Sequence, residues 1–444
     1  MTYEKGAEIA AGKTKIIFGV ADQPSLVIVA NKNDITAFDD PTFTKKFATK
    51  GGYSTVTTCQ VFELLRKAGV PVAFKEQASE TEFVAERCEM IPLEVVARRY
   101  AVGSYLKRHP ELERKKGEQP YRFHRLVVEL FLKTTGGRLK IGEKTIIEGL
   151  SHVVDGVEKT LDDPLITNPE GELWHLFDPK KPAWDSGANL DKTVPMAKIV
   201  ADANMIEEII NITRKTFLVL EGTWQTLGYR LIDFKIEFGI TVTGEVVIAD
   251  VIDNDSWRLR DAGWNELSKQ AFRDGEELSE VEKKYGLVAS LTEKFRVPQQ
   301  AIVLWRGSDK DNFPETPIAL KNSGNIEVVK VTLSGHKSPQ TSLSKLEEIL
   351  GEYPDGGVIL VKVGGSNGLG PILAARTSWT VVAIPAALKN FPDDIWSNTR
   401  MPSSVPLLVA CSDGNAFMAA LNILGQKNPI AYAERQQAIE ELDE

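Results

Sequence analysis

Apolar residues recur with different periods in different parts of the chain, and the changes of period mark its organisation. From residue 301 onward, short β-rich runs at 301–305, 327–333, 357–363, 380–384 and 406–410 alternate with segments that can be helical, at 341–350, 372–376 and 415–424. Strands alternating with helices predict a parallel sheet covered on both faces, so 298–444 reads as an α/β, doubly wound, three-layer domain. Just ahead, Leu278, Val281, Tyr285, Val288 and Phe295 form one helical stripe within the charged stretch 276–296. The segment 263–297 is therefore expected to connect two domains and to pack on both.

The first part, 1–262, reads as α+β. Residues 9–18 and 26–31 suggest strands, and 56–68 a helix ended by Gly69. Strict alternation puts Ile232, Phe234, Ile236, Phe238 and Ile240 on one face of a strand. A turn through Thr243-Gly244-Glu245 then leads into a returning strand over 246–251, giving a hairpin. The stretch 134–189, rich in Gly, Pro, Asp and Lys, reads as a long surface insertion.

Length and charge narrow the classes. The chain has 444 residues, 42% hydrophobic and 26% charged, an ordinary globular balance that excludes disorder and coiled coil. Lys and Arg number 53 against 62 Asp and Glu, a net charge of −9, which argues against a broad nucleic-acid footprint. No apolar run approaches the roughly 20 residues of a membrane span, and the N-terminus carries no secretory pattern. Cys59, Cys88 and Cys411 are scattered, so they read as reduced thiols in a cytosolic protein without a zinc site.

Several polar groupings interrupt this background. Asp233, Lys235 and Glu237 form the polar face of the alternating strand, and Asp250 breaks its apolar partner before Asp253, Asn254 and Asp255. The pattern fits a solvated sheet face, and equally carboxylates beside one Lys holding nucleotide-bound Mg²⁺. Gly12-Lys13-Thr14-Lys15 is not a P-loop, because five residues separate Gly6 from Gly12 where the motif needs four. It reads as a hairpin turn whose lysines either face solvent or lie over a triphosphate. Arg98-Arg99-Tyr100-Ala101-Val102-Gly103-Ser104-Tyr105-Leu106-Lys107-Arg108 is basic within an acidic protein and suits either phosphate binding or an amphipathic face. Arg258 follows the carboxylates.

Taken together, Gly12-Lys-Thr-Lys15, Asp34-Ile-Thr-Ala37, Cys88-Glu-Met-Ile-Pro92, Gly103-Ser-Tyr-Leu-Lys-Arg108, Glu129-Leu-Phe-Leu-Lys133, Asp233-Phe-Lys-Ile-Glu-Phe-Gly239 and Ala249-Asp-Val-Ile-Asp-Asn-Asp-Ser-Trp-Arg-Leu259 resemble the phosphoribosylaminoimidazole-succinocarboxamide synthetase family. The resemblance covers about 6–274 apart from the insertion. It implies a two-lobed, kinase-like α+β ATP-binding fold that joins carboxyaminoimidazole ribonucleotide to L-aspartate. By resemblance, Lys13 and Lys15 hold ATP phosphates, Met90 lies beside adenine, Lys235 supports the phosphates and Glu237 and Asp250 hold Mg²⁺. Lys269 and Gln270 close over the nucleotide, while Arg98, Ser104, Lys107 and Arg258 bind the ribonucleotide. The chain departs from the family pattern at Phe38-Asp39-Asp40-Pro41, at Thr134-Thr135, which replaces an acidic pair, and at Arg260.

In the second domain, Gly307-Ser308-Asp309-Lys310-Asp311, Ser334-Gly335-His336-Lys337 and Gly364-Gly365-Ser366-Asn367-Gly368-Leu369-Gly370-Pro371 each follow a predicted strand. Strand C-terminal ends share one edge of a parallel sheet, where ligands bind, and Gly-rich turns entering helices present N–H groups to anions. Leu373 occupies the place of a third glycine, so a dinucleotide fingerprint and NAD are not expected. His336 sits on that edge as a candidate proton carrier; His109, His124, His152 and His175 read as surface residues.

These strings resemble the aminoimidazole ribonucleotide carboxylase family, in the domain order of the animal bifunctional purine enzymes. That implies a flavodoxin-like fold, octamer assembly and direct use of CO₂ without biotin. By resemblance Ser308, Asp311, Ser334, Ser366, Asn367 and Gly368 bind the ribonucleotide, and His336 with Lys337 serves CO₂ and proton transfer. Lys310, Gly365 and Ala386-Ala387 depart from the pattern. Two readings follow: a bifunctional enzyme, or an active synthetase carrying an oligomerisation and nucleotide-binding module. A protein or lipid kinase would need His-Arg-Asp and Asp-Phe-Gly strings, and neither occurs.

Overall fold

The computed structural model describes residues 3–36, 44–115, 117–154, 156–313 and 326–442, so the departure at 38–41 lies outside the described residues. The chain forms two compact units, Met1–Arg66 with Val70–Phe295, and Lys67–Gly69 with Arg296–Glu444.

The first unit holds two sheets. In the smaller, the antiparallel order is Lys5–Ala11, Lys15–Val20, Gln23–Asn31, Glu82–Glu86 and Phe74–Gln77. The single strand expected over 9–18 is thus a hairpin broken at Gly12, whose amide donates to the Lys15 carbonyl at 2.9 Å. Helix Lys50–Lys67 backs this sheet: Phe62 packs on Phe74 and Phe83 with ring centroids 5.7 and 6.5 Å apart. The chain then crosses through Arg87 into strand Cys88–Tyr100 of the larger, eight-stranded sheet.

There Cys88–Tyr100 lies between Arg122–Leu132 and Arg230–Thr241. Period-two alternation separates two adjacent arginines. Arg98 faces the polar side, whereas Arg99 turns towards helix Ala203–Thr226, where Glu221 receives it in a two-pronged pair at 2.7 and 2.9 Å. Phe217 of that helix packs on Phe234 at 5.3 Å, and the helix is capped by Asp202. The returning strand is shorter than expected, Val246–Ile248, which leaves Asp250 beyond its end.

The stretch 134–189 is more than a surface insertion. It carries two hairpins, Leu139–Ile141 with Lys144–Ile147 and Ser151–Val154 with Val157–Thr160. Beyond them, Leu165–Ile166 and Leu173–Phe177 extend the large sheet, and Asn189–Pro195 completes its edge. Trp174 and Leu176 alternate inward and are fully buried. His152, expected at the surface, is largely buried as well. Likewise, helix Leu278–Thr292 belongs to the first unit: Val281 and Tyr285 join Ile35, Phe47 and Ala271 in one apolar cluster.

In the second unit the sheet is wholly parallel. Its order is Ile326–Thr332, Gln300–Arg306, Gly357–Val363, Thr380–Pro385 and Leu408–Val409. Alternation along the first strand in sequence sends Ala301, Val303 and Trp305 to one face and Ile302 and Leu304 to the other. Helices Pro339–Glu352 and Leu369–Ala374 cover the first face; Asp413–Leu424 and Pro429–Glu440 cover the second. The three-layer α/β expectation holds, with a final helix that the sequence pattern does not announce.

Burial of Trp174 generates a test. Trp174→Ala lowers the unfolding free energy of the first unit by about 3–5 kcal/mol, as for a large core side chain. A surface position would change it by less than about 0.5 kcal/mol in a urea titration.

Candidate active site

The polar face of strand Arg230–Thr241 organises the site. Asp233, Lys235 and Glu237 point the same way, and antiparallel pairing sets Asp233 opposite Arg98 and Glu237 opposite Glu94. On the other side of the strand, Asp233 stands opposite Arg258 of Trp257–Arg260. Three strands therefore bring two guanidinium groups to one carboxylate.

At this end of the site, Arg98 donates from Nη1 to Asp233 Oδ2 at 2.7 Å and from Nε to Glu129 Oε2 at 2.7 Å. Its Nη2 reaches Ser104 Oγ at 3.3 Å. Arg258 also pairs with Asp233, and Arg108 pairs with Glu129. Burial works against the Arg98 charge, yet Glu129 and Asp233 hold its pKa above the usual value. Gly103 has φ +59, and a Cβ there would stand 2.5 Å from Arg258 Nη2. Glycine thus serves both the backbone conformation and the close approach of the guanidinium. Lys107 is exposed on the short helix that starts at Ser104.

Farther along the strand, Lys235 Nζ donates to Glu94 Oε1 at 2.7 Å, Lys133 pairs with Glu237 and Lys15 pairs with Asp250. Burial pulls the Lys235 ammonium down, but Glu94 and Glu237 leave it above its ordinary pKa. Lys15 responds differently. Burial pushes it down to about 8, with Lys133 and Lys235 adding repulsion while Glu237 and Asp253 pull back. Lys13 is exposed on the adjoining turn, and Met90 is 46% exposed where the chain has just entered the large sheet. Lys269 and Gln270 are held aside: Lys269 reaches Asp255 at 3.3 Å, and Gln270 donates to Asp274 at 2.8 Å. Asp255 also pairs with the buried Lys50 and accepts from Tyr285, which ties the carboxylate loop to two helices.

Sequence reading missed Glu94, Lys133 and Asp163 as members of this cluster. Glu94 was readable by period two from Arg98, and a carboxylate directly opposite Glu237 is unfavourable unless cations intervene. Asp163 had no comparable pattern. It arrives from the inserted region with φ 52, an unusual conformation for a side-chain-bearing residue. Burial, then repulsion from Glu94, raises its pKa to about 6, while the Thr134 backbone bond and Lys235 oppose the rise.

In the second unit the three Gly-rich loops meet at the C-terminal edge of the parallel sheet. Ser308 donates to Asp311 at 2.8 Å, and Asp311 lies against Gly364, 3.6 Å from the position of a Cβ there. A Cβ on Gly368 would stand 2.4 Å from His336 Nε2, so His336 lies directly over that glycine. His336, Lys337 and Ser366 are exposed, and Ser334 Oγ accepts the Lys337 amide at 3.3 Å. Asn367 is instead an anchor of its loop: buried, it donates to Asn398 at 2.7 Å and accepts the Gly370 amide at 2.8 Å. Arg306, overlooked in the sequence, brings a guanidinium to the same edge and bonds Asp309 and Asn312.

Among the described residues no group of three or more His, Cys, Asp and Glu side chains is arranged to hold a metal ion. Glu237 and Asp250 nevertheless offer the hard oxygen donors Mg²⁺ uses, and each already faces a lysine ammonium. The donor set fits an ion that takes its remaining ligands from phosphate and water.

Comparison with known proteins gives the family. The SAICAR synthetase family model matches residues 8–151 and 179–290, and the AIR carboxylase model matches 301–444. The "Probable multifunctional protein ADE2" of Caenorhabditis elegans is 32% identical, covering 96% of this chain and 92% of its own. The Homo sapiens "Bifunctional phosphoribosylaminoimidazole carboxylase/phosphoribosylaminoimidazole succinocarboxamide synthetase" is 30% identical over 98% and 93%. A solved structure, "SAICAR synthetase (Type-2) in complex with ADP", aligns over 65% of this chain and 97% of its own at 25% identity and TM-score 0.47. The class is thus a synthetase followed by a carboxylase domain. The chain belongs to the SAICAR synthetase family, among its bifunctional members that also carry an AIR carboxylase domain.

The raised Asp163 pKa generates a test with a definite sign. Folding raises it, so the folded form binds more protons between about 4 and 6, and stability from this group falls as pH rises through that window. Asp163→Asn keeps the acceptor for the Thr134 amide and tolerates positive φ. Relative to the unsubstituted protein it gains about 1–2 kcal/mol more at pH 7 than at pH 4. Urea titrations that show the same difference at both pH values contradict the assignment.

Proposed function

We propose that the protein carboxylates aminoimidazole ribonucleotide with CO₂ and then joins the product to L-aspartate at the expense of ATP. The observation that carries the synthetase half is the spacing of charge on one strand face. Asp233, with its two arginines, and Glu237 lie four residues apart, roughly 13 Å at strand rise. That separation suits a ribonucleotide with its phosphate at one end and its reacting carboxylate at the other.

In this reading Arg98, Ser104, Lys107 and Arg258 hold the ribonucleotide phosphate. Lys13, Lys15 and Lys235 neutralise ATP phosphates, Met90 lies beside adenine, and Lys269 and Gln270 swing over the nucleotide when it binds. Glu237 and Asp250 hold Mg²⁺, which supplies charge neutralisation on the phosphates. The substrate carboxylate oxygen attacks the γ-phosphorus and ADP leaves. The aspartate amine then attacks the acyl carbon, phosphate departs, and the amine gives up a proton. Positioned charges suffice, and no side-chain nucleophile is needed.

In the second unit, Ser308, Asp311, Ser334, Ser366 and Gly368 hold the ribonucleotide phosphate and sugar, with Asn367 fixing the loop. His336 and Lys337 serve CO₂ and proton transfer, and Arg306 with Lys310 offsets the charge lost at Gly365. The first unit is read as two-lobed and kinase-like. The second, whose strand order is 2-1-3-4-5, is read as flavodoxin-like. A cytosolic octamer built through the C-terminal domain completes the proposal.

Carboxylation product feeds the synthetase, which gives a chemical reason for the fusion. A mass-resolved assay with aminoimidazole ribonucleotide, bicarbonate, aspartate and ATP, omitting each in turn, tests the whole reading. Asp250→Asn lowers ATP-dependent amide formation at least about 100-fold and leaves carboxylation intact. His336→Ala does the reverse. Unchanged synthetase turnover removes Asp250 from the metal site, and an unchanged carboxylase rate removes His336 from the mechanism. A second unit that serves only oligomerisation predicts no bicarbonate-dependent turnover at all.

A further inference from the structure

The region that the SAICAR synthetase model leaves unmatched runs from 152 to 178. Its two ends are joined. His152 Nδ1 stands 2.8 Å from Asp178 Oδ2, with the imidazole largely buried and the carboxylate wholly so. A buried carboxylate only accepts, so the ring donates from Nδ1. The other oxygen, Asp178 Oδ1, accepts the Lys180 amide at 2.9 Å and shapes the turn that follows.

That turn touches the clamp. Pro179, next to Asp178, presents its carbonyl to Arg108 Nη1 at 2.7 Å. Arg108 also donates to the Ser104 carbonyl at 3.3 Å and pairs with Glu129, whose other oxygen receives Arg98. A continuous set of bonds thus runs from strand Ser151–Val154 of the inserted hairpin to Ser104 and Arg98, the two groups read above as holding the phosphate.

We propose that His152 is a positioning residue of the synthetase, and that the inserted hairpin buttresses the ribonucleotide clamp through Asp178, Pro179 and Arg108. The proposal rests on reading Arg98, Ser104 and Arg258 as that clamp. Arg108 has two donors committed outward, to Pro179 and Glu129, and so holds Glu129 in line with Arg98. Without the His152 donor, Asp178 loses the bond that fixes one carboxylate oxygen, and the Pro179 carbonyl is free to turn from Arg108. The ATP end of the site, around Lys15, Lys235 and Asp250, takes no part in this set of bonds.

The test is steady-state synthetase kinetics on the full-length protein, with carboxyaminoimidazole ribonucleotide and ATP varied separately. His152→Ala raises the ribonucleotide KM by roughly five- to tenfold and leaves kcat and the ATP KM within about twofold. His152→Asn, whose amide nitrogen takes the place of Nδ1, restores most of the loss. Should the alanine variant fail to fold, His152→Phe keeps the ring volume without the donor and carries the same expectation. Arg258→Ala serves as the reference for the clamp itself. If it raises the ribonucleotide KM while the Ala and Phe variants keep normal constants, the buttress is overturned and the clamp stands. A rise in both KM values together, or no recovery with Asn, also overturns the buttress. If Arg258→Ala leaves the ribonucleotide KM unchanged, the clamp reading fails, and the buttress with it.

Discussion

The first unit depends on keeping charge balanced where water is largely excluded. Arg98, Asp233, Glu129 and Glu237 are each less than a tenth exposed, and all lie on strands of the large sheet. A buried ion left without its partner costs about 3–5 kcal/mol, so the sheet tolerates these residues only as a set. Arg98 spans Glu129 and Asp233, and Asp233 in turn shares Arg258. The same pairing that protects the fold brings the guanidinium groups of Arg98 and Arg258 to one carboxylate, the arrangement proposed above to hold a phosphate.

At the other end the balance is looser. Glu94, Glu237, Asp250, Asp253 and Asp163 sit among three ammonium groups, and the carboxylates are in excess. The strain is recorded in opposite directions, with Lys15 lowered by burial and Asp163 raised by it. On the function proposed above, this is the end that takes the nucleotide and its divalent ion.

Much of this was legible in the sequence where one period persisted long enough. The alternation of 231–240 placed Asp233, Lys235 and Glu237 on one face before any fold was known. Alternating strands and helices predicted the covered parallel sheet and the edge that carries His336. Not every short element was readable. Leu165–Ile166 is two residues long and shows no period, whereas Leu408–Val409 lies inside the apolar run 406–410 that was read as a strand. The insertion's turn-rich composition hid Trp174 at its core. Helix Pro429–Glu440 buries Ile430, Ala431 and Ala433 beneath a polar surface that gave no stripe. Asp163 acquires meaning only from Glu94 and Lys235, more than sixty residues distant in the chain, whereas Glu94 shares the period-two face of Arg98. Resemblance alone assigns Lys269 and Gln270 to the nucleotide; in the structure they bond Asp255 and Asp274.

On the proposed reading, one strand face fixes two phosphate sites at a set distance. A crystal structure of the protein with its ribonucleotide product, ADP and Mg²⁺ tests it most directly. The expected density places the ribonucleotide phosphate between Arg98 and Arg258, and the ADP phosphates beside Lys15 and Lys235. Either phosphate bound away from those side chains would contradict it.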